Sequence, residues 1–120
     1  MTQEEKQLLL KDLCARLPYD VKVQLLDGNH IGGITTLNEP ILTEIRRYNQ
    51  AYFPYLRPMS SMTEEEKKEY DQLRYDPWHS HYDENICSKV LDWLNTHHFD
   101  YRGLIEMGLA IEAPEGMYNV

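Results

Sequence analysis

No uninterrupted apolar run in the 120-residue sequence is longer than the three leucines Leu8–Leu10. A membrane-crossing helix needs about 20 apolar residues, so none is expected. Met1–Lys11 is polar and charged, with no basic stretch leading into an apolar one, so no secretory signal is expected. Cysteine is scarce. Cys14 and Cys87 each fall inside an apparent helical apolar stripe, and two buried, reduced thiols in a cytoplasmic protein are expected rather than a disulfide. Neither has a basic neighbour closer than Arg16 or Lys89, which argues against an activated thiolate.

Basic residues are scarce in the second half. Residues 61–120 hold thirteen acids and five bases, the whole of the net −8, while residues 1–60 hold seven of each. Phosphate backbones are repelled by such a surface, which disfavours nucleic acid as a partner. The same surface either keeps the chain soluble or docks on a basic partner. Phosphate-loop spacings of glycine are missing, so Gly28, Gly32 and Gly33 do not read as a phosphate cradle. A Gly-x-Ser-x-Gly nucleophile motif is missing too.

What is present suffices for a packed core: 42% of residues are hydrophobic, and the length suits one domain over residues 1–120. Thr2 and Glu5 have capping-box spacing, and Leu9, Leu10, Leu13, Cys14 and Leu17 follow at helical steps until Pro18. Val21–Leu25 alternates as a half-buried strand does, Asp27-Gly28 is a hairpin dipeptide, and Ile31–Leu37 reads as its partner. Within it Gly32-Gly33 suggests a bulge or a close backbone approach. Pro40 reads as the end of that strand. Residues 41–48 favour a third strand, although Ile41, Leu42, Ile45 and Tyr48 also fit one face of a short helix.

Tyr52–Pro58, with its two prolines, reads as an extended connector. Thr63 and Glu66 repeat the capping-box spacing and open a surface helix to about Leu73. A further helix is expected over Glu84–Thr96, its stripe of Ile86, Val90, Trp93, Leu94 and His97 making Trp93 a core anchor and His97 a core residue. His98 would cap that helix when charged. Asp100 would cap a fourth, short helix ending at Gly108, followed by a strand over Leu109–Ala113 and a turn at Pro114–Gly116. The expected class is therefore α+β: an N-terminal helix, a small antiparallel, SH3-like sheet from residues 21–48, and a helical C-terminal half with a short terminal strand.

Three blocks carry a resemblance: Met1–Val23, Pro54–Leu73 with PYLRPMSSMTEEE, and Leu91–Tyr118 with DWLNTHHFDYRGLIEMGLAIEAPEGMY. In these blocks the chain resembles a family of short uncharacterised proteins of gut Bacteroidales genomes, prophages and mobile elements. Gln24–Phe53 and Tyr75–Ser88 fall outside the resemblance. It implies a bacterial or phage cytoplasmic setting and carries no catalytic residue over.

Among chemistry-bearing residues, His79, His81 and Asp83, with Asp76 nearby, are the best metal candidate, because His-x-His places two imidazoles on one side of an extended segment. An aromatic-flanked polar loop explains the same residues without a metal, and no metal or other cofactor is expected. His97-His98 does not make a shared site, since adjacent helical residues point about 100° apart. The expected function is a non-enzymatic protein-interaction module, a phage or mobile-element accessory with a counter-defence role. Its acidic face of Glu64, Glu65, Glu69 and Asp71 would meet a basic protein partner. The alternatives are a nucleic-acid-associated protein with a degenerate winged-helix C-terminal half, and a small metal-dependent enzyme.

Overall fold

A computed structural model describes residues 2–27, 30–74 and 84–118. Its elements run α1 (Gln3–Arg16), a 3-10 turn (Leu17–Tyr19), β1 (Lys22–Asp27), β2 (His30–Thr36), α2 (Glu39–Tyr48) and β3 (Tyr52–Pro58). A second 3-10 turn (Met59–Ser61), α3 (Glu64–Arg74), α4 (Glu84–Thr96), β4 (Phe99–Asp100) and β5 (Ile111–Glu112) complete it. The class is α+β, as expected. The sheet is mixed, in the order β2-β1-β3-β4 with β5 also on β3: β1 pairs antiparallel with β2 and β3, and β3 pairs parallel with β4 and β5.

The first helix starts where its caps dictate. Thr2 Oγ1 accepts from the Glu5 N–H, and Glu5 Oε1 accepts from the Thr2 N–H at 2.9 Å. Its buried face is Leu9, Asp12, Leu13 and Arg16. Cys14 is exposed, against expectation, because the face that meets the core turns one residue away from it. The expectation for the Cys87 side chain lies outside the described residues.

In the hairpin the register moves two residues along β1, Gln24 to Leu26, against three along β2, Ile34 to Ile31. Gly32 and Gly33 thus stand opposite Leu25 as a β-bulge. The approach there is close: a Cβ on Gly32 would lie 3.1 Å from the Leu25 Cβ. The Asp27-Gly28 turn itself falls on residues outside the described ones.

Residues 41–48 are a helix, which corrects the preference for a strand and removes the barrel expected from residues 21–48. The deciding signals are at the ends. Asn38 Oδ1 accepts from the Ile41 N–H at 2.9 Å, and Pro40 sits in the first turn, where its missing N–H costs nothing. Arg46 and Arg47 occupy the last turn, and Asn49 ends the helix at φ 54°. Ile41, Leu42 and Ile45 are buried.

The third strand comes instead from Tyr52–Pro58, read above as a connector. Pro54 is fully buried opposite Val23, the last pair that β3 makes with β1. Beyond it β3 changes partners, Tyr55 and Leu56 pairing with β5, and Arg57 and Pro58 with β4. A proline is tolerated where one ladder stops and another begins. Leu9, Leu13, Val21, Val23, Leu56 and Leu104 form the fully buried centre of the core, flanked by α2.

The fourth helix expected after Asp100 is absent. Residues 101–108 form turns, with Gly103 and Gly108 at φ 75° and 76°. Asp100 still caps them, its carboxylate accepting from the Leu104 and Ile105 N–H groups at 2.9 and 3.0 Å. A winged-helix half therefore lacks its second helix. The terminal strand shortens to Ile111–Glu112, and the expected turn follows, Met117 N–H donating to the Pro114 carbonyl. No helix among the described residues is long and apolar enough to cross a membrane.

Candidate interaction site

Glu66 begins as a capping-box residue, its carboxylate accepting from the Thr63 N–H at 2.9 Å while Thr63 Oγ1 accepts from the Glu66 N–H at 3.2 Å. This geometry turns the side chain back beneath α3 and onto β3. There Arg57 clasps it with two bonds, Nη1 to Oε2 at 2.8 Å and Nη2 to Oε1 at 2.7 Å, both residues being buried. His97 Nδ1 lies 3.2 Å from Glu66 Oε2. The Arg57 bonds, helped by the Thr63 N–H, outweigh desolvation and hold the Glu66 carboxyl down at about 2. The guanidinium rests 4.2 Å over the Phe99 ring.

Trp93 belongs to this outlying cluster and not to the main core. It is half-buried, its ring stacked 5.7 Å from Phe99 and tilted against His97 at 4.3 Å and Tyr70 at 5.7 Å. Its indole Nε1–H donates to Glu69 at 3.0 Å. An indole with a polar edge keeps one side near water, which the stripe periodicity alone does not register.

A second ion pair lies under α1. Arg16 Nε donates to Asp12 Oδ2 at 2.7 Å, and Nη2 donates to the Phe99 carbonyl at 2.7 Å, both side chains being fully buried. His98 neighbours this pair at φ 62°, its ring stacked 3.8 Å from Tyr118. Burial above all, then the Arg16 charge, pushes its imidazole down to about 4. It is therefore neutral at pH 7 and does not serve as the charged helix cap expected of it. Tyr118 accepts from the Lys22 N–H and donates to the Tyr55 carbonyl, and burial raises its phenol to about 12.

The four acids expected to form a docking face all lie on α3 and are all exposed, but they do not make a continuous negative surface. Glu64 lies 3.6 Å from Lys67, Glu69 holds the Trp93 indole, and exposed Lys67 and Lys68 interrupt the rest. Glu65 and Asp71 remain. The metal candidates His79, His81 and Asp83, with Asp76, lie outside the described residues. Among the described residues, no three His, Cys, Asp or Glu side chains gather as a metal cage.

A second set of exposed acids lines two adjoining clefts at the C-terminal end of β3. One cleft of about 590 Å³ lies between the β3–α3 connection and the C-terminal turn, lined by residues such as Ser61, Thr63, Ala113, Pro114 and Tyr118. A second, of about 470 Å³, is lined by Met59, Gly103 and Ile105 among others. Both include Pro58 and Glu112, so they adjoin across β5. The exposed acids along them are Glu106, Glu112 and Glu115. Their spacing of six and three residues across turns and a two-residue strand has no periodicity to betray it.

Compared with protein-family models, curated proteins and solved structures, the chain matches none.

Proposed function

We propose that the chain is a non-enzymatic protein-interaction module that works in the cytoplasm and meets a basic protein partner. The observation that supports this most is the division of its acids into two sets. Asp12, Glu66 and Asp100 are buried and bonded to Arg16, Arg57 and backbone N–H groups, so their charge is taken up by the fold. Glu65, Asp71, Glu106, Glu112 and Glu115 face solvent, where their field reaches an approaching molecule. A surface of one sign gives specificity and association rate more than raw affinity.

The reading is tested by capturing partners from a bacterial lysate and titrating the purified partner across ionic strength. Association should slow steeply as salt rises, and random-sequence duplex DNA should not bind at physiological salt. Micromolar, salt-sensitive binding to that DNA would overturn the reading. So would a partner whose affinity ignores both salt and charge reversal.

A further inference from the structure

The two clefts that adjoin at Pro58 and Glu112 differ from the α3 face in one respect. Among the described residues, no base pairs with Glu106, Glu112 or Glu115, and the one arginine in the lining, Arg57, is bound by Glu66. Much of the lining between these carboxylates is apolar, from Pro58, Met59, Ile105, Ala113 and Pro114.

We propose that this groove docks an extended segment of a partner protein bearing lysine or arginine side chains; the proposal rests on the interaction-module reading and names its site and ligand. Lysine and arginine stems are aliphatic and can lie on an apolar floor while their charged heads reach carboxylates at the rim. Three exposed acids, unpaired among the described residues, and an apolar trough match that chemistry together. Phosphates are excluded by sign. A second copy meeting it groove to groove would bring the same carboxylates against each other.

The site is built in advance. Its floor is fixed by the Ala113 N–H to Leu56 carbonyl bond at 2.8 Å and by the Arg57–Glu66 clasp, so little ordering cost falls on docking.

The probe is a synthetic peptide, acetyl-Lys-Pro-Lys-Pro-Lys-Pro-Lys amide, which proline keeps extended, with its Glu-Pro counterpart as control. It is titrated into ¹⁵N-labelled full-length chain and followed by amide chemical shifts. Shifts should concentrate in residues 58–63 and 103–116 and fade with salt. Glu112→Lys with Glu115→Lys should weaken binding about tenfold or more, whereas Glu65→Lys with Asp71→Lys should change it by less than about threefold. All four positions are exposed, and thermal melts check that both variants stay folded. Shifts centred on α3 and lost in the Glu65/Asp71 variant would overturn the groove while leaving the interaction module standing. No saturable shift at millimolar peptide would also overturn the groove, and lysate capture still judges the module separately. Equal binding of the glutamate peptide, or groove shifts that follow protein concentration alone, would overturn it in favour of a non-electrostatic site or a second copy.

Discussion

Glu66→Gln keeps the side-chain shape and removes its charge, which isolates the ionic contribution of the Arg57–Glu66 clasp. Folding moves the Glu66 carboxyl from its ordinary 4.5 to about 2. At about 1.4 kcal/mol per pH unit, such a shift corresponds to about 3 kcal/mol of stability at neutral pH. Mutational experience gives a similar size, since removing one partner of a buried pair costs about 3–5 kcal/mol by leaving the other charge uncompensated. Arg57 would be that charge, left with one neutral side-chain amide oxygen, the His97 carbonyl at 3.4 Å and the Phe99 ring. For a chain of this length, 3 kcal/mol corresponds to a fall in Tm of about 12 °C.

The pH dependence makes the test specific. A carboxyl whose folded value is lowered contributes fully above its unfolded value, and the contribution is lost as pH falls through the folded one. The gap between parent and Glu66→Gln should therefore be largest above about pH 5, narrow from 4.5 downward and nearly close by about pH 2. Urea unfolding at pH 7, 4 and 3 measures it. A gap below about 1 kcal/mol at pH 7, or one that does not narrow in acid, would refute the reasoning.

Phe99→Ala should cost about 3–5 kcal/mol, because this fully buried ring carries Trp93 on one side and Arg57 on another, while Trp93→Ala should cost less; equal melting shifts would undo the distinction. Asp12→Ala should destabilise by about 3 kcal/mol or more by leaving Arg16 fully buried without its carboxylate, and a melt within a degree or two of the parent would contradict that. His98 should keep the chemical shifts of neutral imidazole from pH 8 to pH 5 in the folded chain, so a titration midpoint near 6.5 would show that the ring is not sealed beneath Tyr118.

Elements whose ends and faces agree were legible in the sequence. Thr2 and Glu5 mark the start of α1, and Thr63 and Glu66 mark that of α3, through bonds made between neighbours. The Gly32-Gly33 bulge is legible because paired glycines inside a strand pattern mark a bulge or a close approach, and Gly32 does lie close against Leu25. Residues 41–48 were misread because period alone does not separate a short strand from a short helix, and Pro40 was read as a breaker when Asn38 ahead of it makes it a helix opener. Tyr52–Pro58 was misread because its prolines suit a connector, and only the change of partner at Pro54 makes room for them in a sheet. Asp12 and Arg16 have the i,i+4 spacing of a solvated surface pair. Their burial depends on a carbonyl 83 residues away, which no local pattern contains.

Phe99 explains why these distant contacts matter to the interaction surface. β4 is two residues long and β5 equally short, so their ladders alone supply few hydrogen bonds to hold the C-terminal half against β3. Two arginines add to these ladders and to the Tyr118 bonds. Arg16 grips the Phe99 carbonyl from α1, and Arg57 covers its ring from β3 while reaching into α3 through Glu66. Buried ion pairs add little net stability compared with apolar packing, but their bonds are directional and fix position. Position is what a docking groove needs. The same Arg57 that ties α3 to the sheet also lies in the lining of the groove beside Pro58, and its pairing with Glu66 withholds its charge from the three carboxylates at the rim. The internal salt bridge thus both holds the groove in shape and keeps its one arginine from competing for the rim carboxylates.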